Sequence, residues 1–497
     1  MAELIQNPGT FSKIPARVIR RRDSPHSTRS PRGARAFRSL YDFHALVAAD
    51  AGLLAALLVT GTLLRARVRL VQRLMLPASV IAGFLGLALG PEGLGLLPFS
   101  DQLGTYASVL IVVVFACLAL TDGLSFKGMG RSAGAYGSYS VAAYALQVGL
   151  GMIFALVVLG LFWDVPDGFG TLLFAGWAGG FGTAAALGTA FEASGWEGAS
   201  SLGFTAATAG MLAGVVGGII LNNWGARKGH TQGMGRFETL PEELRTGLVT
   251  RSEERTATGF ATTSPSSVEP LGIQICVVLV ISAVAYGVSE WFTGLFPSLM
   301  VPVFALAFIV GLAIRAVLAR TPAWGYIDGE SLKSVSGTAT DVLITCGIAS
   351  IVPSFVADWW LPLLGMFALG LALCLFLFLW VAPRLYEGNW FEKAVVTWGW
   401  STGAAATAIA LLRMVDPKLK SGTLEEFGVA YIPVAPVETL TVTFVPVLVT
   451  AGAVWVVGGV WTAVGLLALL LPWLLGWAPK RRAGAEAVPA PREEAGV

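Results

Sequence analysis

Long apolar runs recur along this chain between short turn or charge clusters, and no water-soluble fold buries all of them. A bilayer core takes about 20 apolar residues per helix. Runs of that order are predicted at 43–64, 75–97, 104–121, 134–162, 174–191 and 199–224, and again at 271–292, 299–318, 340–356, 359–381, 394–412, 427–450 and 454–477. Hydrophobic residues make up 55% of the 497 residues, charged residues only 13%, and mean hydropathy is +0.71. That leaves too little polar side chain to cover a globule of this size. The chain reads as an all-α polytopic membrane protein.

The remaining polar residues set organisation and topology. Residues 1–42 form a basic, Ser/Pro-rich tail expected to be disordered. Residues 226–270 are polar, with mixed charge and the run "TATGFATTSPSSVEP", and read as a linker between a first transmembrane region (43–225) and a second (271–450). An additional span (451–478) and a short tail (479–497) follow. Arg65, Arg67, Arg69, Arg73, Lys127, Arg131, Arg227, Lys228, Arg315 and Arg320 fall in every second loop, whereas "PEGLGLLPFSDQ", "DVPDG" and "TGLFPS" hold no Lys or Arg. The basic loops, with the linker and the final tail, are therefore expected in the cytoplasm. Beyond the tail, Lys and Arg sit in short clusters between apolar runs, where they set topology and do not point to a nucleic-acid partner. Cys117, Cys276, Cys346 and Cys374 lie inside predicted spans without CxxC spacing and read as small packing residues.

The two regions align. "LPASVIAGFLGLALG" matches "VPVFALAFIVGLAIR", pairing Pro77 with Pro302; "GTYASVLI" matches "GTATDVLI"; and "WAGGFGTAAA" matches "WGWSTGAAAT", pairing Trp177 with Trp398 and Gly182 with Gly403. Three matches in one order indicate duplication. The loop charges then require five crossings per half, so that the halves are inverted repeats, and each glycine-rich segment must re-enter or break without adding a crossing. "FAGWAGGFGTAAALGTAF" carries too many glycines for an ordinary span. Irregular backbone at membrane depth is tolerated where it lines a cavity, and there its freed N–H and C=O groups bind anions and cations. Close helix packing through small residues is the alternative.

Polar residues inside spans are candidates by default, because burying them is costly. Glu438 and Thr441 share a helix face after Pro433 and Pro436, with Thr443 close by, and are oxygen ligands suited to sodium; a titrating Glu438 would instead couple to protons. Asp341 is a further candidate sodium ligand. Asp50 is expected at a scaffold interface or in water, and Arg413 either meets a substrate carboxylate or snorkels to the cytoplasm. The three histidines lie outside the apolar centres, and neither a metal-ligand cluster nor a nucleophile-base pair argues for an enzyme.

The stretches "GGFGTAAALGTAFEASGWEGASSLGFTAATAGMLAGVVGGII" and "GWSTGAAATAIALLRMV…FGVAYIPVAPVETLTVTFVPVLV", with "LPASVIAGFLGLALG", resemble the two halves of the bacterial sodium/glutamate symporter family (glutamate:sodium symporters), as a divergent member. Gly179, Gly180, Phe181 and Gly182 meet the family's Gly-Gly-x-Gly pattern, while Trp400-Ser401-Thr402-Gly403 keeps only the final glycine and gains hydroxyls. The resemblance implies sodium-coupled symport of glutamate or a related small organic anion, in elevator-like alternating access, by a homodimer in the bacterial plasma membrane. A proton-coupled carboxylate carrier and a channel are the alternatives. Substrate contacts are expected from Gly179, Gly180, Phe181, Gly182, Thr183, Ser401, Thr402, Gly403 and Thr407, and sodium contacts from Glu438, Thr441 and Asp341. No organic cofactor and no metal other than Na+ is expected.

Overall fold

The structure, a computed structural model, describes residues 31–74, 76–121, 130–231, 242–295, 302–386, 388–416 and 419–478. Most of the expected tail (1–30), the residues around Lys127, the middle of the linker and the expected C-terminal tail lie outside the described residues. Secondary structure among the described residues is helical. In the first region the helices are α1 (Pro31–Arg67), α2 (Ala78–Leu89), α3 (Leu103–Thr121), α4 (Arg131–Val157), α5 (Leu172–Gly176), α6 (Gly180–Ala193) and α7 (Ala199–Arg227). In the second they are α8 (Pro270–Leu295), α9 (Val303–Leu318), α10 (Gly329–Ala349), α11 (Trp360–Phe376), α12 (Trp390–Thr402), α13 (Ala405–Val415), α14 (Thr423–Ala430) and α15 (Val434–Thr450); α16 (Val454–Leu474) comes last.

Among the described residues, seven helices are long and apolar enough to cross a membrane, and α14 with α15, bent by 45° between them, make an eighth if the pair is one span. α2 and α9 are shorter than the runs expected at 75–97 and 299–318. With 12 and 16 residues, they reach about 18 and 24 Å at 1.5 Å per residue, short of a core of about 30 Å. Each begins directly after a proline, Pro77 or Pro302, which fixes the entering backbone. α2 stops at Gly90, where "GPEGLG" turns the chain tightly through Gly95 at φ +65°. α10 begins at Gly329 rather than at Thr340, because Asp328 caps it by accepting the Ser331 amide (2.9 Å) and hydroxyl (2.6 Å). Burial pushes the Asp328 carboxyl up, but its bonds from Ser331 and Phe260 outweigh this and hold it below the usual range.

From Asp50 onward the helices sort into two bundles. The first joins α2 and α3 to α8, α9 and α10; Gly61 of α1 packs against the Ala78 carbonyl, and Gly86 of α2 touches Leu57 and Ala349. The second joins α4 to α7 with α11 to α16. The last helix is integral to it: Gly149, Gly458 and Gly465 bring α16 onto α4, and the Ser138 hydroxyl donates to the Ala468 carbonyl at 2.5 Å. Across the seam, Ser108 and Thr189 share a hydrogen bond of 2.8 Å, and Ser201 accepts the Val352 amide at 3.1 Å.

Helix ends collect in two groups. In one, Phe169 meets Trp359 (5.6 Å between ring centroids), Gly198 abuts Phe355, and Val449 and Thr450 stand over residues 166–168 and 194–197. Its described loops carry Glu92, Asp101, Asp164, Asp167, Glu197 and Asp358, but no described Lys or Arg. In the other, Arg315 donates to the Ala119 carbonyl (3.2 Å), Lys393 pairs with Glu426 (2.7 Å), and Arg413 approaches Glu243 of the linker (3.8 Å). The described lysines and arginines from Arg65 to Lys420 belong to this second group or to the linker.

Asp50 is 1% exposed and closes the first group of ends, accepting the Ser100 amide (3.0 Å), the Ser100 hydroxyl and the Tyr106 hydroxyl (2.9 Å). Asp50→Ala, which strands these donors, is expected to destabilise the protein by about 1–3 kcal/mol. Thermal melting in detergent should show a lowered midpoint for Asp50→Ala and none for Asp101→Ala, whose carboxylate is exposed.

Candidate functional site

Both glycine-rich segments double back. In the first, α5 stops at Gly176, and α6 starts at Gly180 after a break at Trp177, Ala178 and Gly179. A Cβ on Gly168 would stand 2.9 Å from the Phe191 ring, and Phe169 faces Trp196 at 6.3 Å, whereas an unbroken helix would hold 168 and 191 about 35 Å apart. In the second, α12 and α13 are separated by Gly403 and an extended Ala404 (φ −160°, ψ 160°). Gly399 lies on Ala408, with 2.6 Å between a Cβ there and Ala408 Cα, and at the base Asn389 donates to the Ser421 carbonyl at 2.7 Å. Each segment is a helical hairpin with both feet at one end of the molecule.

The tips meet. Gly180 has φ +66°, and a Cβ on it would stand 3.2 Å from the Gly403 carbonyl oxygen. Only glycine takes that conformation at no cost while leaving the approach open. α7 serves as the spine for both hairpins. Gly176 of the first hairpin sits on the backbone of Ala206 and Ala207, and Gly188 on Ser200. For the second, Gly210 and Gly214 face Thr402, Trp398 donates to the Gly214 carbonyl (3.0 Å), and Asn222 donates to the Leu411 carbonyl (3.0 Å). Glycines along α7 therefore place two interrupted backbones side by side. The N-termini of α6 and α13 converge at the tips, each with first-turn amides that have no partner within their own helix and the positive end of a helix dipole. The carbonyls of the helices that end there complete the arrangement, which offers both an anion and a cation a place.

The structure brings most expected contact residues to this junction. Gly179, Gly180, Phe181, Gly182 and Thr183 form the first tip, with Thr183 buried and Gly182 open: a Cβ there meets only Ile111 Cδ1, at 3.8 Å. Ser401 and Thr402 are buried at the second tip; Thr402 donates back to the Trp398 carbonyl (2.6 Å), and Thr407 is buried one turn into α13. Ala404 and Ala405 are exposed beside these buried neighbours, so the tip borders open space.

Glu438 and Thr441 adjoin the second hairpin through aromatic rings. Tyr431 donates to Glu438 at 2.7 Å and packs on Trp400 at 5.8 Å; Tyr144 of α4 stacks on Trp400 at 6.4 Å and interacts electrostatically with Glu438 and Thr441. Thr443 is buried nearby in sequence. Asp341 is not brought there. It is exposed on α10, in the other bundle, and its described electrostatic partner is Arg65. Arg413 turns to Glu243, away from the tips, and Asp50 is occupied as above. Of the cysteines, Cys117, Cys346 and Cys374 are buried, whereas Cys276 is exposed on α8. A cavity of about 300 Å³ follows the seam between the bundles, lined by Ser108, Ile111, Thr189, Tyr286 and Thr450 among others; Ile111 connects it to Gly182. Among the described residues no three His, Cys, Asp or Glu side chains gather to hold a metal ion.

Sequence reasoning passed over α4. Ser140, Tyr144 and Gln147, each fully buried, lie at i, i+4 and i+7 on one face. Gln147 Nε2 donates to the Ser401 carbonyl at 2.8 Å and lies 3.7 Å from Cys374 Sγ. That polar stripe in an otherwise apolar helix is the signal that marks them.

This architecture defines a polytopic helical membrane protein in which two facing hairpins build a polar junction. The sodium/glutamate symporter model matches residues 45–420, and the chain belongs to that family, which is one of transporters. No curated protein matches the chain significantly.

Local geometry separates two neighbouring glycines. Gly180→Ala forces a left-handed conformation on a side chain at about 1–2 kcal/mol, so its melting midpoint should fall. Gly182→Ala, with only Ile111 near its Cβ, should melt as the parent does.

Proposed function

We propose that this protein couples the entry of sodium to uptake of glutamate, or a related small organic anion, with the facing hairpin tips as the binding site. The observation that carries this reading is the convergence of two helix N-termini, those of α6 and α13, at Gly180 and Gly403. Positive dipole ends and unpaired amides favour carboxylates, and carbonyls and hydroxyls beside them favour a weakly hydrated cation. Glutamate brings two carboxylates to a place with two such helix ends. Substrate contacts then come from the two tips, and sodium ligands from Glu438, Thr441 and the hydroxyls of the second hairpin.

The two halves are read as inverted repeats. Helix order supports this: long, short, long, long, interrupted and long on both sides of the linker, with Pro77 and Pro302 opening the short members. So does a paired contact near the start of each half. Asp50 of α1 accepts the amide of Ser100, just before α3; Gln274 of α8 accepts the amide of Asp328 (3.2 Å), just before α10. The chemistry differs while the position is kept. With hairpins that double back, and with the short α2 and α9 each taken as a crossing, each half crosses five times, and the end rich in Lys and Arg is cytoplasmic. The bundle bearing both hairpins moves against the other in elevator-like alternating access, within a homodimer in a bacterial plasma membrane.

Purified protein in liposomes tests this. An imposed sodium gradient should drive labelled glutamate inward against its own gradient; accumulation with a proton gradient alone would overturn sodium coupling, and downhill flux only would indicate a channel. Glu438→Gln should raise the sodium concentration for half-maximal uptake far more than it alters apparent substrate affinity at saturating sodium. Topology has its own check in a cysteine-free background. Cysteine at Asp101 should react with an impermeant reagent from outside, and cysteine at Gly233, outside the described residues, only from within; the reverse pattern contradicts the assigned sides.

A further inference from the structure

Gln147 stands in the middle of an apolar helix with none of its surface exposed. Its Nε2 is used, by the Ser401 carbonyl at 2.8 Å. Its Oε1 has no hydrogen-bond partner. Flipping the amide does not relieve this, because it would press Oε1 against the Ser401 carbonyl oxygen. A buried amide acceptor without a donor is destabilising, and a ligand for that atom would offset the cost. Its surroundings are rich in oxygen. Ser401, whose carbonyl Gln147 holds, is itself buried with its hydroxyl 4.0 Å from Cys374 Sγ. One turn away on α4, Tyr144 stacks on Trp400 and interacts electrostatically with Glu438.

We propose that Gln147 Oε1 is a ligand of the coupling cation, so that α4 closes a sodium site against the second hairpin. This rests on the sodium-coupled reading above and adds to it an element that neither hairpin supplies. The carbonyl oxygen of an amide is a hard, neutral ligand of the kind sodium accepts, and a neutral ligand suits an ion that must leave again within each cycle. The two ends of the Gln147 amide do different work: the N–H group fixes the backbone of the hairpin tip, and the oxygen binds the ion. Sodium then ties α4 to the second hairpin, which couples ion binding to the position of the tip.

Two variants separate these roles, since both lose the N–H donor but only one loses the oxygen. Gln147→Met keeps the volume without an acceptor. Its sodium concentration for half-maximal glutamate uptake should rise by about 10- to 100-fold, and the thermal stabilisation that sodium gives the purified parent should vanish. Without sodium it should melt close to the parent, because relief of the stranded Oε1 offsets the loss of the donor to the Ser401 carbonyl. Gln147→Glu keeps an oxygen and adds charge, and should need less sodium than the parent. Equal loss of the sodium response in both variants would assign Gln147 to holding Ser401 alone and overturn ligation, as would a parent-like sodium requirement in either. If Gln147→Met does not fold, the fall in sodium requirement predicted for Gln147→Glu still decides. A parent that transports glutamate without sodium would instead overturn the coupled reading itself.

Discussion

The structure depends on one constraint: a backbone interrupted inside a hydrocarbon layer must find partners within the protein. Every residue that leaves the helical ladder frees an N–H and a C=O that lipid cannot satisfy. The interruptions at 177–179 and 403–404 are placed against each other. Some freed groups are satisfied locally, as where the Ala404 amide donates to the Gly399 carbonyl (3.1 Å) and that of Gly179 to the Phe174 carbonyl (2.8 Å). Another, the Ser401 carbonyl, is taken by Gln147 from a neighbouring helix. What stays open at the tips is then available to a ligand, and a site of two helix ends follows from the same arrangement that makes the hairpins tolerable.

Packing makes the arrangement possible. α7 carries glycine at 203, 210, 214, 217, 218 and 225, and at each the neighbour is close enough that a side chain would collide or press hard: Ala184, Thr402, Trp177, Trp398, Leu411 and Phe391 are among them. Approach this close lets dispersion and backbone-directed hydrogen bonds hold helices together where the hydrophobic effect does not act. The feet of the second hairpin are pinned differently. Lys393, 5% exposed, bonds Ser132 (2.9 Å) and Glu426 (2.7 Å) and faces the Tyr386 ring at 4.9 Å. A rigid base with a glycine tip localises what freedom the hairpin has.

Much of this was legible from residues. Run length and glycine content located the spans and both hairpins, because hydropathy and backbone permissiveness are local properties. The prolines of "LPASVIAGFLGLALG" and "VPVFALAFIVGLAIR" each stand at a helix start, but hydropathy did not show that both helices are shorter than the expected runs: the first stops at Gly90 of "GPEGLG", and the second begins only after Pro302. The start of α10 was written in Asp328 and Ser331, three apart, but a polar helix start carries no hydropathy signal. Asp341 drew attention as an acid near a span, and its surroundings in the other bundle depend on a contact with Arg65 that no local pattern encodes. Gln147 was passed over for the opposite reason: a single amide in "SVAAYALQVGLG" scarcely changes the average hydropathy. Only its neighbour across the bundle gives it meaning.

The central claim, that the meeting tips are where substrate binds, has a direct test at Ala404, which is exposed at the second tip next to the buried Ser401 and Thr402. With Ala404→Cys in a cysteine-free, transport-competent background, the rate of modification by a small thiol reagent is measured with and without ligands. Glutamate together with sodium should slow it by about tenfold or more, corresponding to at least 1.4 kcal/mol of protection, and glutamate without sodium should slow it much less. A rate unchanged by saturating glutamate and sodium would place the binding site elsewhere in the protein.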